Sequence, residues 1–181
     1  MRRERCDSLR HAAQGGHRRF GAREERTGNV ESTNDDIERA AGLVEAMIKK
    51  LGIDPASVSM APPGAGRAWS LMRGSAAVAI FLRPANEGED SARLRIVSPI
   101  VKVGADTRPE LFRTLLELNT TGLGGMAFGI HQERVVLVAE RRTKDLDAAE
   151  VEHLIQRVGV VADHYDDQLI QKFGGVRVSD L

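Results

Sequence analysis

The chain has 181 residues, enough for one domain with an extension and too few for two independent cores. Its 26 Lys and Arg balance 26 Asp and Glu, so no whole-chain field draws nucleic acid or an anionic membrane, and an aromatic content of 4% leaves little for a base-stacking sheet. The one cysteine, Cys6, cannot make an internal disulfide, which fits a reducing cytoplasm, and no apolar run approaches the roughly 20 residues of a membrane span.

Charge is unevenly placed. Residues 1–28 hold eight Arg against four acids, which leaves the remainder with an excess of four negative charges. Residues 1–30 have almost no apolar periodicity and cannot bury enough surface to offset their ordering entropy, so this head is expected to be disordered. An organelle-targeting peptide, a nucleic-acid arm, or upstream sequence read through from an earlier start would all look like this, the last with Val30 as the native start.

From Asn34 the pattern turns helical. Ile37, Ala41, Val44, Ile48 and Leu51 recur at three and four residues, Ser32, Thr33 or Asn34 can cap the helix, and Gly52 ends it. Residues 52–66 carry Pro55, Pro62, Pro63, Gly64 and Gly66 and read as a loop. Strands are expected over Arg67–Arg73, over the nearly continuous apolar run Ser75–Leu82, and through Leu94, Ile96 and Ile100. Pro99 cannot donate to a ladder, so the end of the third strand is expected to be an edge or a bulge.

Thr107 and Glu110 make a capping box with Pro109 in the first turn, starting a second helix that ends by Gly122. Met126–His131 and Arg134–Arg141 read as a hairpin turning at Gln132-Glu133. Asp147 and Glu150 cap a last helix whose apolar stripe runs from Val151 to Phe173, with Gly159 as a candidate bend. The order α-β-β-β-α-β-β-α puts strands in runs, the mark of an α+β fold with an antiparallel sheet and helices on its faces. The folded domain is expected over residues 34–175, with 176–181 as a tail.

Chemistry is hard to find. There is no Gly-x-Ser-x-Gly elbow, the only Cys lies in the head, and His11, His17, His131, His153 and His164 show no metal-ligand spacing. Gly122, Gly124, Gly125 and Gly129 sit between a helix and a strand, the wrong order for a phosphate loop, and Asp163, Asp166 and Asp167 read as a solvated helix face. No catalytic residue, metal ligand or cofactor is therefore assigned. The second helix is unusual: Leu111, Leu115 and Leu118 form one stripe and Phe112 and Leu116 another, an apolar arc of roughly 160 degrees where somewhat over 100 suffices. The excess points to a second copy of the chain, with cover by another helix of the same chain as the alternative.

Ser98-Pro99-Ile100-Val101, Glu110-Leu111-Phe112 with Leu115-Leu116-Glu117-Leu118-Asn119, Phe128-Gly129-Ile130, Asp145-Leu146-Asp147 and Ala162-Asp163-His164-Tyr165-Asp166 resemble YbjN-domain proteins and the Tir-chaperone-like (CesT-type) class of type III secretion chaperones. The resemblance covers roughly residues 35–175. It implies homodimers that hold an extended segment of a bacterial client protein, without cofactor or catalysis; YbjN-type members imply a regulatory adaptor that binds one folded partner instead. The neutral charge departs from the strongly acidic secretion chaperones. On this reading Trp69, Leu71, Ile96 and Ile100 are candidate peptide contacts, with plain core as the alternative for each, and Phe112, Leu115, Leu116, Met126, Phe128 and Ile130 candidate dimer contacts, with no nucleic-acid or membrane partner.

Overall fold

The computed structural model describes residues 24–104 and 109–181, with side chains from Asn34 onward. Most of the expected disordered head, Cys6 and the cap residue Thr107 lie outside the described residues. The elements are α1 (Glu24–Lys50), β1 (Ser59–Met60), β2 (Arg67–Arg73), β3 (Ala76–Arg83), β4 (Arg93–Lys102), α2 (Pro109–Asn119), β5 (Met126–His131), β6 (Arg134–Arg142), α3 (Ala148–Phe173) and β7 (Val176–Arg177). Single 3-10 turns at Pro55–Val58 and Val178–Asp180 complete them. The expected α+β order is present, with two short strands added.

The sheet has seven strands in the order β1-β2-β3-β4-β6-β5, and β7 also pairs with β4. Every pairing is antiparallel. The chain meanders through β1 to β4, crosses by way of α2, and returns as a hairpin whose second strand lies beside β4. The register between β4 and β6 shifts between Pro99 and Val101, so the proline is accommodated by a bulge at the point where it cannot donate. The hairpin turns on Gln132 and Glu133, both with positive φ, the twist that lets two antiparallel strands reverse in two residues.

Strand alternation then divides the side chains. The register sets Trp69 beside Ile80, Ile80 beside Ile96, Ile96 beside Ala139 and Ala139 beside Met126, so these residues share one face. That inner face is buried with Val44 and Ile48 of α1 and with Val151, Ile155, Val158 and Ala162 of α3 in a single core. Among the described residues α3 runs uninterrupted through Gly159, so the expected bend is replaced by a close approach: a Cβ there would lie 2.6 Å from Cδ of Arg73 on β2. Arg39 of α1 donates to the backbone carbonyls of Thr143 and Leu146, tying the first helix to the loop before α3.

Both ends differ from expectation. Among the described residues α1 already runs from Glu24, upstream of the expected start at Asn34, since a nucleated helix extends at one hydrogen bond per residue. Residues 176–181 are not a free tail: Val176 and Arg177 pair with Lys102 and Val101 as β7.

Truncation of Trp69, fully enclosed beneath the helices, is expected to cost about 3–5 kcal/mol in urea denaturation. A second test concerns acid. Arg83 and the backbone N–H of Asn86 hold the Glu89 carboxylate at about 2, below the usual carboxylate range. The folded state therefore binds this proton more weakly than the unfolded chain, so its contribution is complete above the ordinary carboxylate value and is lost as pH falls towards about 2. The difference in Tm between pH 7 and pH 3 should be smaller in Glu89→Gln than in the wild type; equal differences would contradict the assignment.

Candidate functional site

The opposite face of the sheet is the feature to explain. Phe81, Val97, Val138 and Val136 point away from the helices, since Phe81 stands opposite Arg95, and Val138 opposite both Val97 and Ala127. Among the described residues no helix lies over them. They floor a groove of about 780 Å³ bounded by Pro62, Pro63 and Gly64 of the β1–β2 loop on one side and by Gly129, Ile130 and His131 of β5 on the other. Arg95 and Glu140 pair across its floor at 2.8 Å, and Arg83 joins Glu89 at 2.6 Å on the rim. The charges are thus internally balanced, and the groove offers apolar area without a net field.

The strands read as continuous apolar runs because of this second face. In an antiparallel sheet with helices on one side, outward positions are ordinarily polar. Here Ala77, Ala79 and Phe81 alternate with Val78, Ile80 and Leu82, and Val136 and Val138 with Val135 and Leu137, so both faces are apolar.

The expected peptide contacts are placed elsewhere. Trp69, Leu71, Ile96 and Ile100 are all buried in the core beneath α1 and α3, and none of them presents a surface. They alternate correctly with their neighbours, but period-two alternation cannot tell which face the helices take.

The dimer candidates divide in two. Leu115, Met126 and Phe128 are buried in the same core, whereas Phe112 is 41% exposed, Leu116 67% and Ile130 43%. Leu111 and Leu115 hold α2 to the domain, and Phe112 and Leu116 stand on its outer side with Pro109 and Thr120. No other described helix of the chain covers that stripe. Asn119 closes α2 onto β5, its amide donating to the carbonyl of Phe128 at 3.2 Å and its oxygen accepting from the Phe128 N–H at 2.7 Å, which occupies the edge of β5 at that point.

The family profile described as T3SS (YopN, CesT) and YbjN peptide-binding chaperone 1 matches residues 43–181. The chain belongs to this family. No curated protein matches the sequence. Among solved structures, a chain of the ExsC–ExsE complex matches at 18% identity with a TM-score of 0.53, covering 74% of this chain and 95% of that one. A chain of the heterodimeric ExoU–SpcU complex from the type III secretion system of Pseudomonas aeruginosa matches at 16% identity with a TM-score of 0.46, over 71% and 96%. The first likeness supports the chaperone fold.

Within this member of the family the remaining candidates have plain structural roles. Gly122, Gly124 and Gly125 all have positive φ, so that cluster is turn chemistry. His131, His153 and His164 are exposed, and the described residues contain no group of three or more His, Cys, Asp or Glu that could hold a metal ion. The aspartates depart from the expected solvated face. Asp166 is only 3% exposed, and its carboxylate accepts from Ser75 Oγ at 2.5 Å and from Arg177 Nε at 2.9 Å. Asp163 accepts from the Ser75 N–H and shares the single Ser75 hydroxyl proton with Asp166, and these contacts hold the Asp163 carboxyl below the usual range.

The two stripes of α2 make opposite predictions. Leu115→Ala should cost about 2–5 kcal/mol of stability, and Leu116→Ala no more than about 0.5 kcal/mol in the monomeric domain. Urea titration of each variant checks this; equal losses would mean that the outer stripe is packed within the chain.

Proposed function

We propose that this chain is a non-enzymatic, chaperone-like module that holds an extended apolar segment of another protein across the outer face of its sheet, and that it acts as a homodimer joined through α2. The observation that carries the reading is a sheet that is apolar on both faces but covered by helices on one. An uncovered apolar groove of about 780 Å³ is expensive to leave in water and is characteristic of a docking surface. An extended segment suits it because successive side chains of a strand can enter the groove on one side and remain solvated on the other. The balanced charges of Arg83, Arg95, Glu89 and Glu140 favour shape and apolar area over charge as the basis of recognition.

The second apolar surface, Phe112 and Leu116, supports association between copies: a helix paired with its own symmetry mate buries the same stripe twice. The lone Cys6 fits action in a reducing cytoplasm.

Two measurements test the two parts. A fluorescent, carboxymethylated and permanently unfolded protein should bind the wild type, and Val97→Asp and Gly129→Asp should weaken that binding by about tenfold or more. Gly129 has room for the change, since a Cβ there meets Val136 Cγ2 at 3.8 Å. Unchanged affinity in both variants would contradict the outer face as the site. Light scattering at micromolar concentration should give a dimer for the wild type and a monomer for Leu116→Asp; a monomeric wild type would remove the homodimer.

A further inference from the structure

The C-terminal segment occupies a notch in the sheet. β3 pairs with β4 only from Ala79 opposite Val97 to Arg83 opposite Arg93, so the first residues of β3 stand away from the last residues of β4. The Ser98 hydroxyl spans part of this gap by donating to the carbonyl of Ala77 at 2.7 Å. Beyond it, Val101 is paired on one side with Val135 of β6, and its other side is taken by Arg177 of β7.

What holds β7 there is slight in area and specific in chemistry. The strand is two residues long, and the side chains of Val176 and Leu181 are exposed, so little apolar surface anchors it. The anchor is Arg177. Its Nε donates to Asp166 at 2.9 Å, one terminal nitrogen donates to Asp167, and the other lies 3.7 Å from Asp180. Asp166 is buried, so without a guanidinium its charge would keep only two neutral donors, the Ser75 hydroxyl and the Asp167 N–H, and no positive partner. A planar fork with donors on two edges meets this arrangement, and an ammonium does not.

We propose that this notch is a binding site for an extended peptide segment carrying an arginine, and that the chain's own C-terminus fills it in cis. Backbone pairing with Val101 and Lys102 would recognise the extended conformation, and the buried Asp166 with Asp167 would select the guanidinium. Gly174 and Gly175, both with positive φ, form the joint at which the segment swings out, leaving α3 undisturbed. A site closed by its own chain shows an outside ligand an affinity reduced by the fraction of time that it is open. Such an occupant is displaced by a client that supplies the same arginine with more apolar contact. The site is separate from the outer face, and it stands or falls independently of the groove.

The test uses the full chain and a fluorescent peptide with the sequence of residues 174–181, read by anisotropy. Arg177→Ala removes the internal anchor. Gly175→Val leaves every charge in place but sets a Cβ 2.6 Å from the carbonyl oxygen of Lys102 and 2.7 Å from Val101 Cγ1, which pushes β7 out. Both variants should bind the peptide at least about tenfold more tightly than the wild type does. The same peptide with alanine at its arginine should not bind, and Asp166→Asn in the Arg177→Ala background should abolish binding. Val97→Asp in that background should leave it unchanged, which separates the notch from the outer groove. Equal affinity for all chains, or tight binding of the arginine-free peptide, would overturn the proposal. Loss of the folded circular dichroism spectrum in both variants would also overturn it, because the segment would then be part of the core fold rather than an exchangeable ligand.

Discussion

The structure depends on the seating of α3 across the inner face of the sheet. This helix of 26 residues packs against β2, β3, β4 and β6, and its buried stripe of Val151, Ile155, Val158, Ala162 and Leu169 supplies one wall of the only large core among the described residues. Its position is set at three points along its length. Asp147 accepts from the Glu150 N–H and starts it, the missing side chain of Gly159 lets Arg73 cross it, and Asp166 receives Ser75 and Arg177 near its end. Because α3 and α1 together cover the inner face, everything else about function follows from what they leave uncovered.

Two apolar surfaces are left over, and they differ in shape. The outer sheet face is grooved, with a floor of Phe81, Val97, Val136 and Val138 and arginine–glutamate pairs beside them. The outer stripe of α2 is a short, open, exposed patch around Phe112 and Leu116. A groove accommodates an extended chain, whereas a short helical stripe suits a self-complementary partner. The proposed client and the proposed second copy would thus occupy separate surfaces.

Much of this was legible in the sequence. Period-two alternation located β2 and β4, the capping pair Asp147 and Glu150 located α3, and Pro99 marked the bulge in β4. The apolar excess of α2 was also visible, and its outer stripe is indeed uncovered within the described chain. Periodicity does not say which sheet face the helices take, so it leaves Trp69, Leu71, Ile96 and Ile100 open between peptide contact and core, and the structure buries all four. A usable signal did exist. The unbroken apolar runs of β3 and β6, in an order that forces an antiparallel sheet, imply a second apolar face that three helices cannot all cover. The C-terminal strand had no such signal, since Val176 and Arg177 are recruited by the buried carboxylate of Asp166, a tertiary partner that no local pattern records.

The central claim is that the outer sheet face holds the client. Methyl-resolved NMR of the valine, leucine and isoleucine side chains, recorded as an unfolded polypeptide is added, tests it most directly. The account predicts that the methyl signals of Val97, Val136 and Val138 shift on binding while those of Val78, Ile80 and Leu137 on the inner face do not. Shifts confined to the inner face, or binding with no change at Val97, Val136 and Val138, would contradict it.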